Sequence, residues 1–110
     1  MKPGIKKVLF ICTGNTCRSV MAEYLLNKSS AERGLGLEAR SCGIAAERGF
    51  AIPAGVRKAL APEGIERVDH VAQLVTRDLL GWSDLALTMT RDHREVVLDL
   101  YPEFGSKVFI

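Results

Sequence analysis

Residues 7–19 read Lys7-Val8-Leu9-Phe10-Ile11-Cys12-Thr13-Gly14-Asn15-Thr16-Cys17-Arg18-Ser19. The first six are a continuous apolar and β-branched run, the pattern of a strand buried on both faces. A turn containing Gly14 follows. Ser19 then opens a helical pattern with Met21, Ala22, Leu25 and Leu26 on one face, fading over residues 29–33 before Gly34. A fully buried strand feeding directly into a helix begins a βαβ unit, and that places the chain in the α/β class.

The rest of the chain repeats the alternation. Residues 37–42 read as a second strand ended by Gly43, and residues 44–53 as a loop. Residues 54–60 form a short helix closed by Pro62 and Gly64. Thr76 is a good N-cap for a helix reaching Trp82. Residues 85–89 are a third buried strand, and Thr90 caps a helix that runs to about Leu100, before Pro102. Residues 107–110 start a fourth strand. The expected architecture is a three-layer α/β sandwich around a four-stranded parallel sheet of order 2-1-3-4. Such sheets bind ligands beyond the carboxyl ends of their strands, where the order reverses, and residues 12–19 occupy that position.

The loop has the composition of an oxyanion site. Five residues separate Cys12 from Arg18, and the turn passes straight into a helix N-terminus, where successive backbone N–H groups of Thr13, Gly14, Asn15, Thr16 and Cys17 converge on one point. Gly14 is expected to remove a Cβ that would obstruct the turn. Arg18 offers a planar fork for two phosphate oxygens. The helix dipole and Arg18 both favour Cys12 as a thiolate. Attack on phosphorus would form a phosphocysteine that water then hydrolyses, with Ser19 donating its hydroxyl to the sulfur.

Bulk properties narrow the setting. The chain has 110 residues, enough for one domain, with 47% hydrophobic and 25% charged residues. A net charge of +2 with scattered basic residues argues against a nucleic-acid partner. No segment is long enough to span a membrane, and the apolar run after the basic residues 1–7 is too short for a signal-peptide core. Three cysteines make no disulfide framework, and without an export signal they read as reduced thiols in the cytoplasm.

The stretch Cys12-Thr13-Gly14-Asn15-Thr16-Cys17-Arg18-Ser19 after a first strand resembles the low-molecular-weight protein tyrosine phosphatases. The similarity continues through Met21-Ala22-Glu23, Arg40-Ser41-Cys42-Gly43, His70-Val71-Ala72 and residues 84–90, covering essentially the whole chain in register. The resemblance implies the flavodoxin-like fold of that family and a metal-free, cofactor-free phosphatase. Cys12 would be the nucleophile, Arg18 the phosphate clamp, and Asn15, Ser41 and His70 braces for the loop. Thr16 is similar to the bacterial protein-arginine-phosphatase branch, whereas tyrosine-directed members commonly carry an aliphatic residue there. That implies a phosphorylated protein side chain as substrate, with phosphoarginine ahead of phosphotyrosine.

The sequence departs from the family in three places. Val20 stands where proline is usual, and Ala45 where the arginine-directed branch has a bulkier pocket residue. The family's Asp-Pro loop, which carries the general acid, and its final helix do not follow the fourth strand. A single phosphatase domain over residues 1–110, truncated at its C-terminal end, is therefore expected. Right-handed crossovers make the same point: they leave strands 3 and 4 bare on the face that carries the first helix, and parallel sheets are normally covered on both faces. A bare face of this kind is expected to make the chain poorly stable or self-associating. Asp92, just beyond the third strand, is a conceivable replacement acid but reads better as a first-turn carboxylate facing its helix dipole.

The sequence also admits competing readings. An anion-binding module without turnover fits the loop if the acid is absent. An arsenate reductase would need further cysteines in residues 82–92, which have none. A zinc site from Cys12, Cys17, Cys42 and a histidine would set Arg18 beside the metal. Cys17 is either a redox partner for Cys12 or a loop residue whose backbone matters, and Cys42 is a buried filler. His70 is expected to be structural, His93 exposed, and Trp82 core at a helix end.

Overall fold

The computed structural model describes residues 4–16, 18–46 and 52–110. Strand β1 is Lys7–Cys12, followed by helix α1, Arg18–Arg33, and strand β2, Glu38–Gly43. Helices α2, Ala54–Leu60, and α3, Arg77–Trp82, precede strand β3, Leu85–Thr88. Helix α4, Arg91–Leu100, leads to strand β4, Val108–Phe109. The four strands are parallel in the order β2-β1-β3-β4, as the alternation of elements predicts.

Both expected caps form: Thr76 accepts from the Leu79 N–H at 3.1 Å and Thr90 from the His93 N–H at 3.2 Å. Element ends differ from the sequence expectation by a residue or two, and two of these shifts have a local cause. Strand β2 runs through Gly43, because its N–H donates to Gln73 O and its carbonyl accepts from Val75 N, each at 2.9 Å. Strand β4 is only two residues long. The Lys107 N–H closes a turn onto Phe104 O, so only its carbonyl, accepting from Ala86 N, joins the ladder.

Leu9, Ile11, Cys42, Ala86 and Val108 point to one side of the sheet and pack with Leu80 of α3 and Val97 of α4. Trp82 borders this core, and the Arg40 guanidinium lies 4.3 Å from its ring centroid. On the opposite side α1 lies against β1 and β2, and α2 packs on α1 through Val20, Val56 and Leu60. That layer stops short of the far edge. Leu85 and Leu87 are half-buried and Phe109 is 49% exposed, as the crossover argument predicts.

Helix α1 corrects the periodicity reading. Its buried face carries Ser19, Val20 and Ser30, while Leu25 is 42% exposed. The helix is docked by polar side chains. Asn27 donates to Ala39 O at 3.0 Å and accepts from Ala39 N at 2.7 Å, and Ser30 Oγ accepts from Leu37 N at 2.8 Å. A stripe that meets a strand backbone through hydrogen bonds has no hydrophobic signature, so the apolar count selected the wrong face.

Candidate active site

The end of β1 and the start of α1 fix the two ends of the loop, and the end of β2 straps its middle. Ile44 N donates to Cys12 O at 2.9 Å, and Ala45 N to Thr13 O at 3.0 Å. This close approach depends on Gly43. A Cβ there would lie 2.4 Å from Thr13 O and 3.0 Å from Asn15 N. Gly14, singled out for the turn, is less constrained: an added Cβ would meet only Thr16 Oγ1, at 3.7 Å. The left-handed residue of the loop is Asn15, with φ 56°.

Asn15 is fully buried and has a defined orientation. Its Oδ1 accepts from the Gln73 backbone N–H at 2.9 Å, so its Nδ2 is the group that donates to Ser19 Oγ at 3.0 Å. Ser19 Oγ lies 2.8 Å from Cys12 Sγ and donates to it when the sulfur is a thiolate. The Asn15 N–H also donates to Cys12 Sγ, at 3.2 Å. Two groups able to donate thus converge on one sulfur.

Behind Asn15 lies a second layer. His70 Nε2 is 3.0 Å from Asn15 Oδ1 and 3.2 Å from Asn15 O; both are acceptors, so Nε2 carries the hydrogen. The other ring nitrogen lies 3.9 Å from Glu23 Oε1. Burial lowers the His70 pKa, partly opposed by its bond to Asn15, and burial raises the Glu23 carboxyl. Ser41 Oγ donates to Glu23 Oε1 at 2.7 Å, and Gln73 Nε2 donates to Ser41 O at 2.8 Å. Ser41 therefore acts on Glu23 and makes no hydrogen bond to the loop among the described residues, whereas His70 and Asn15 brace it as the resemblance implies.

His93 is the clear miss of the sequence reading. Expected to be exposed, it is buried, and its Nε2 lies 2.8 Å from Thr13 Oγ1. The first turn of α4, just beyond β3, points it back under the loop. Glu23 and Gln73 were not recognised either. Only Glu23 carried a signal, within the Met21-Ala22-Glu23 similarity.

Arg18 is exposed as the first residue of α1 and makes no ion pair among the described residues. Thr16 is half-buried beside Gly14, and Asp92 is exposed in the first turn of α4. Cys42 is core, and burial pushes its thiol well up, with Cys12 adding to the shift. Cys17 and residues 47–51 lie outside the described residues, and so does the redox question about Cys17.

Among the described residues no group of three histidines, cysteines or carboxylates is placed to hold a metal. None of their helices is long and apolar enough to cross a membrane. A cleft of about 500 Å³ is lined by Ala46, Gln73, Leu74, Thr76 and Leu79.

Residues 7–110 match the family model for low molecular weight phosphotyrosine protein phosphatase. The protein-arginine-phosphatase of Bacillus subtilis is 38% identical over 103 residues, which make up 93% of this chain and 67% of that protein. The chain thus spans about two thirds of that relative's length. The crystal structure of a low molecular weight protein tyrosine phosphatase from T. tengcongensis superposes with a TM-score of 0.91 at 40% identity, covering 94% of this chain and 71% of that one. A YwlE arginine phosphatase mutant with a phosphorylated active-site serine superposes at 0.89 with 32% identity, covering 94% and 67%. The chain belongs to the low molecular weight phosphotyrosine protein phosphatase family, and its chemistry is that of a cysteine-dependent phosphatase.

Proposed function

We propose that this chain dephosphorylates protein side chains, phosphoarginine ahead of phosphotyrosine, with Cys12 as nucleophile. The observation that carries this reading is the directed chain of hydrogen bonds from Gln73 N through Asn15 and Ser19 to Cys12 Sγ. It aims an O–H and an N–H at the sulfur, and both stabilise a thiolate as attacking and as leaving group.

Sγ attacks phosphorus, the bond from phosphorus to the side-chain atom breaks, and a phosphocysteine forms. Water then attacks phosphorus and returns the thiolate. The N–H groups of Thr13, Gly14 and Thr16 and the Arg18 fork bear the charge on the transferring phosphoryl oxygens, as preorganised donors do in oxyanion sites. Ser19 acts on the sulfur. No metal or cofactor enters any step. The phosphoarginine preference is supported by Thr16 and by relatives named as protein-arginine-phosphatases in Bacillus subtilis and Geobacillus stearothermophilus. The catalytic unit is a single domain. Its reactive thiol suits the reducing cytoplasm, and its modest charge suits a phosphoprotein or free phosphate better than nucleic acid or a membrane surface.

The nucleophilic step is tested by itself with an activated aryl phosphate, whose phenolate departs without protonation. A millisecond burst of phenolate near one equivalent, absent in Cys12→Ser, is the expected result. Phosphate binding with no release above the mutant would replace this reading with an anion-binding module.

A further inference from the structure

Thr13 and His93 stand 80 positions apart in the chain and meet at 2.8 Å. The meeting is built in from both sides. On the helix side, the His93 N–H is held by the Thr90 cap, and its ring is buried in the first turn of α4. On the loop side, the Thr13 carbonyl is tied to Ala45 N, so the residue is anchored although its side chain reaches the surface.

The direction of the hydrogen bond follows from the other ring nitrogen. His93 Nδ1 is buried and has no hydrogen-bond partner among the described residues. A hydrogen on Nδ1 would be a stranded buried donor, whereas a bare lone pair there is the milder loss. A charged ring would strand the same N–H, and burial and the Arg18 guanidinium both hold the His93 pKa below its ordinary range, with Asp92 opposing them. The hydrogen therefore sits on Nε2 and is donated to Thr13 Oγ1. A threonine hydroxyl has one hydrogen and two lone pairs, so its own hydrogen stays free to donate elsewhere.

We infer that His93 is a positioning residue: by filling one lone pair of Thr13 Oγ1 it holds that side chain in place and directs its O–H to an oxygen of the phosphoryl group in the loop. The inference rests on the reading of residues 12–19 as the phosphate site. It makes Thr13 a donor to bound phosphate beyond its backbone N–H, and it gives α4 a part in the site through one ring.

The test is a double-mutant cycle on the full 110-residue chain, read as inorganic phosphate affinity by calorimetry and as kcat and KM for an aryl phosphate. Thr13→Val and His93→Phe should each weaken phosphate binding by about three- to tenfold, the range of one ordinary hydrogen bond. The double variant should be no weaker than Thr13→Val alone, because His93 acts only through Thr13. His93→Gln, whose amide nitrogen can reach the same hydroxyl, should restore most of the affinity. The change should fall mainly on KM, since the contact is made to bound phosphate and to the transition state alike. Equal losses from His93→Phe in the wild-type and Thr13→Val backgrounds would overturn the inference, as would unchanged phosphate affinity in either single variant. If His93→Phe fails to fold, Thr13→Ser against Thr13→Val decides the matter, and equal affinity in that pair overturns it. A wild-type chain that binds phosphate without releasing phenolate sinks the catalytic reading but leaves the affinity cycle decisive. One that binds no phosphate sinks both.

Discussion

The loop at residues 12–16 and the far edge of the sheet at β4 are both short, yet they are held in opposite ways. The loop draws partners from four places: the end of β2, the segment 70–73, the start of α1 and the start of α4. Nearly all of these partners are hydrogen-bonding groups. Strand β4 rests on one buried valine, the ladder to β3, and side-chain bonds from Thr88, Arg94 and Lys107 to nearby carbonyls. Apolar packing alone therefore does not locate the site. It is over-determined by long-range polar contacts, while the edge is held from one side by its ladder and bonds to nearby carbonyls, and substitutions in the two regions should differ accordingly.

The sharpest break is Gly43→Ala. Its Cβ would overlap the Thr13 carbonyl at 2.4 Å, and both atoms belong to backbone that is hydrogen-bonded on each side. A loss of about 4 kcal/mol or more is expected, the range reserved for steric conflicts that the surroundings cannot relax. Gly14→Ala, inside the loop itself, should leave stability within about 0.5 kcal/mol because its Cβ meets only an ordinary contact. Urea midpoints for the two variants check this directly. Equal midpoints would mean that the β2 strap is not what holds the loop.

Asn15→Ala should come next. It strands the buried Gln73 N–H, takes one of the two acceptors from His70 Nε2 and removes the donor to Ser19, and it puts alanine at φ 56°. A loss of about 3 kcal/mol is expected, from unsatisfied buried groups and backbone strain together. Phenolate release should fall with it, because the Ser19 hydroxyl is then free to turn from the sulfur. Wild-type stability with reduced turnover would separate the two roles of Asn15, and full turnover would contradict the relay.

Much of this was legible in the sequence, for reasons that can be stated residue by residue. β1 and the caps Thr76 and Thr90 are local signals, and the structure has them in place. The loop is a contiguous motif, so Cys12, Asn15 and Ser19 could be named before any contact was known. The docking face of helix α1 is not legible because its side chains there are polar. Gly43 was passed over in favour of Gly14 because a close approach between two chain segments leaves no trace in either one. His93 was misplaced for the same reason: its partner is 80 positions away.

The pH response should be gentler than either substitution, and it also separates the two regions. His70 and His93 have an ordinary pKa of 6.5 when unfolded, and the fold lowers both, mainly by burial. Below about pH 6.5 the unfolded chain takes up protons that the folded chain refuses. Stability present above that pH is therefore lost as the pH falls through the lowered folded values. Glu23 runs the other way. Burial raises its carboxyl above 4.5, so the fold binds that proton first and recovers part of the loss at lower pH. Urea denaturation at pH 7.5, 6.5 and 5.5 should show a decline that His93→Gln makes shallower. A profile as steep in His93→Gln as in the wild type would mean that the His93 ring is not kept neutral by the fold.

The smallest effect is expected at the edge. Phe109 leaves about half of its ring in water, and its contributions to the fold are backbone ones: pairing with Leu87, and a carbonyl that accepts from Thr88 Oγ1 at 2.9 Å. Phe109→Ser keeps both and removes only partial apolar burial, so a loss on the order of 1 kcal/mol is expected. Leu9→Ala, in the core behind the loop, should cost about 2–5 kcal/mol by comparison. The contrast fails if Phe109→Ser destabilises as much as Leu9→Ala. In that event the ring is covered in solution, and the dependence of the midpoint on protein concentration tells whether a second copy covers it. A midpoint that moves with concentration in the wild type and stands still in Phe109→Ser would place the self-association on this face of β3 and β4. A midpoint independent of concentration in both would leave Phe109 as an exposed ring on an edge that contributes little to stability.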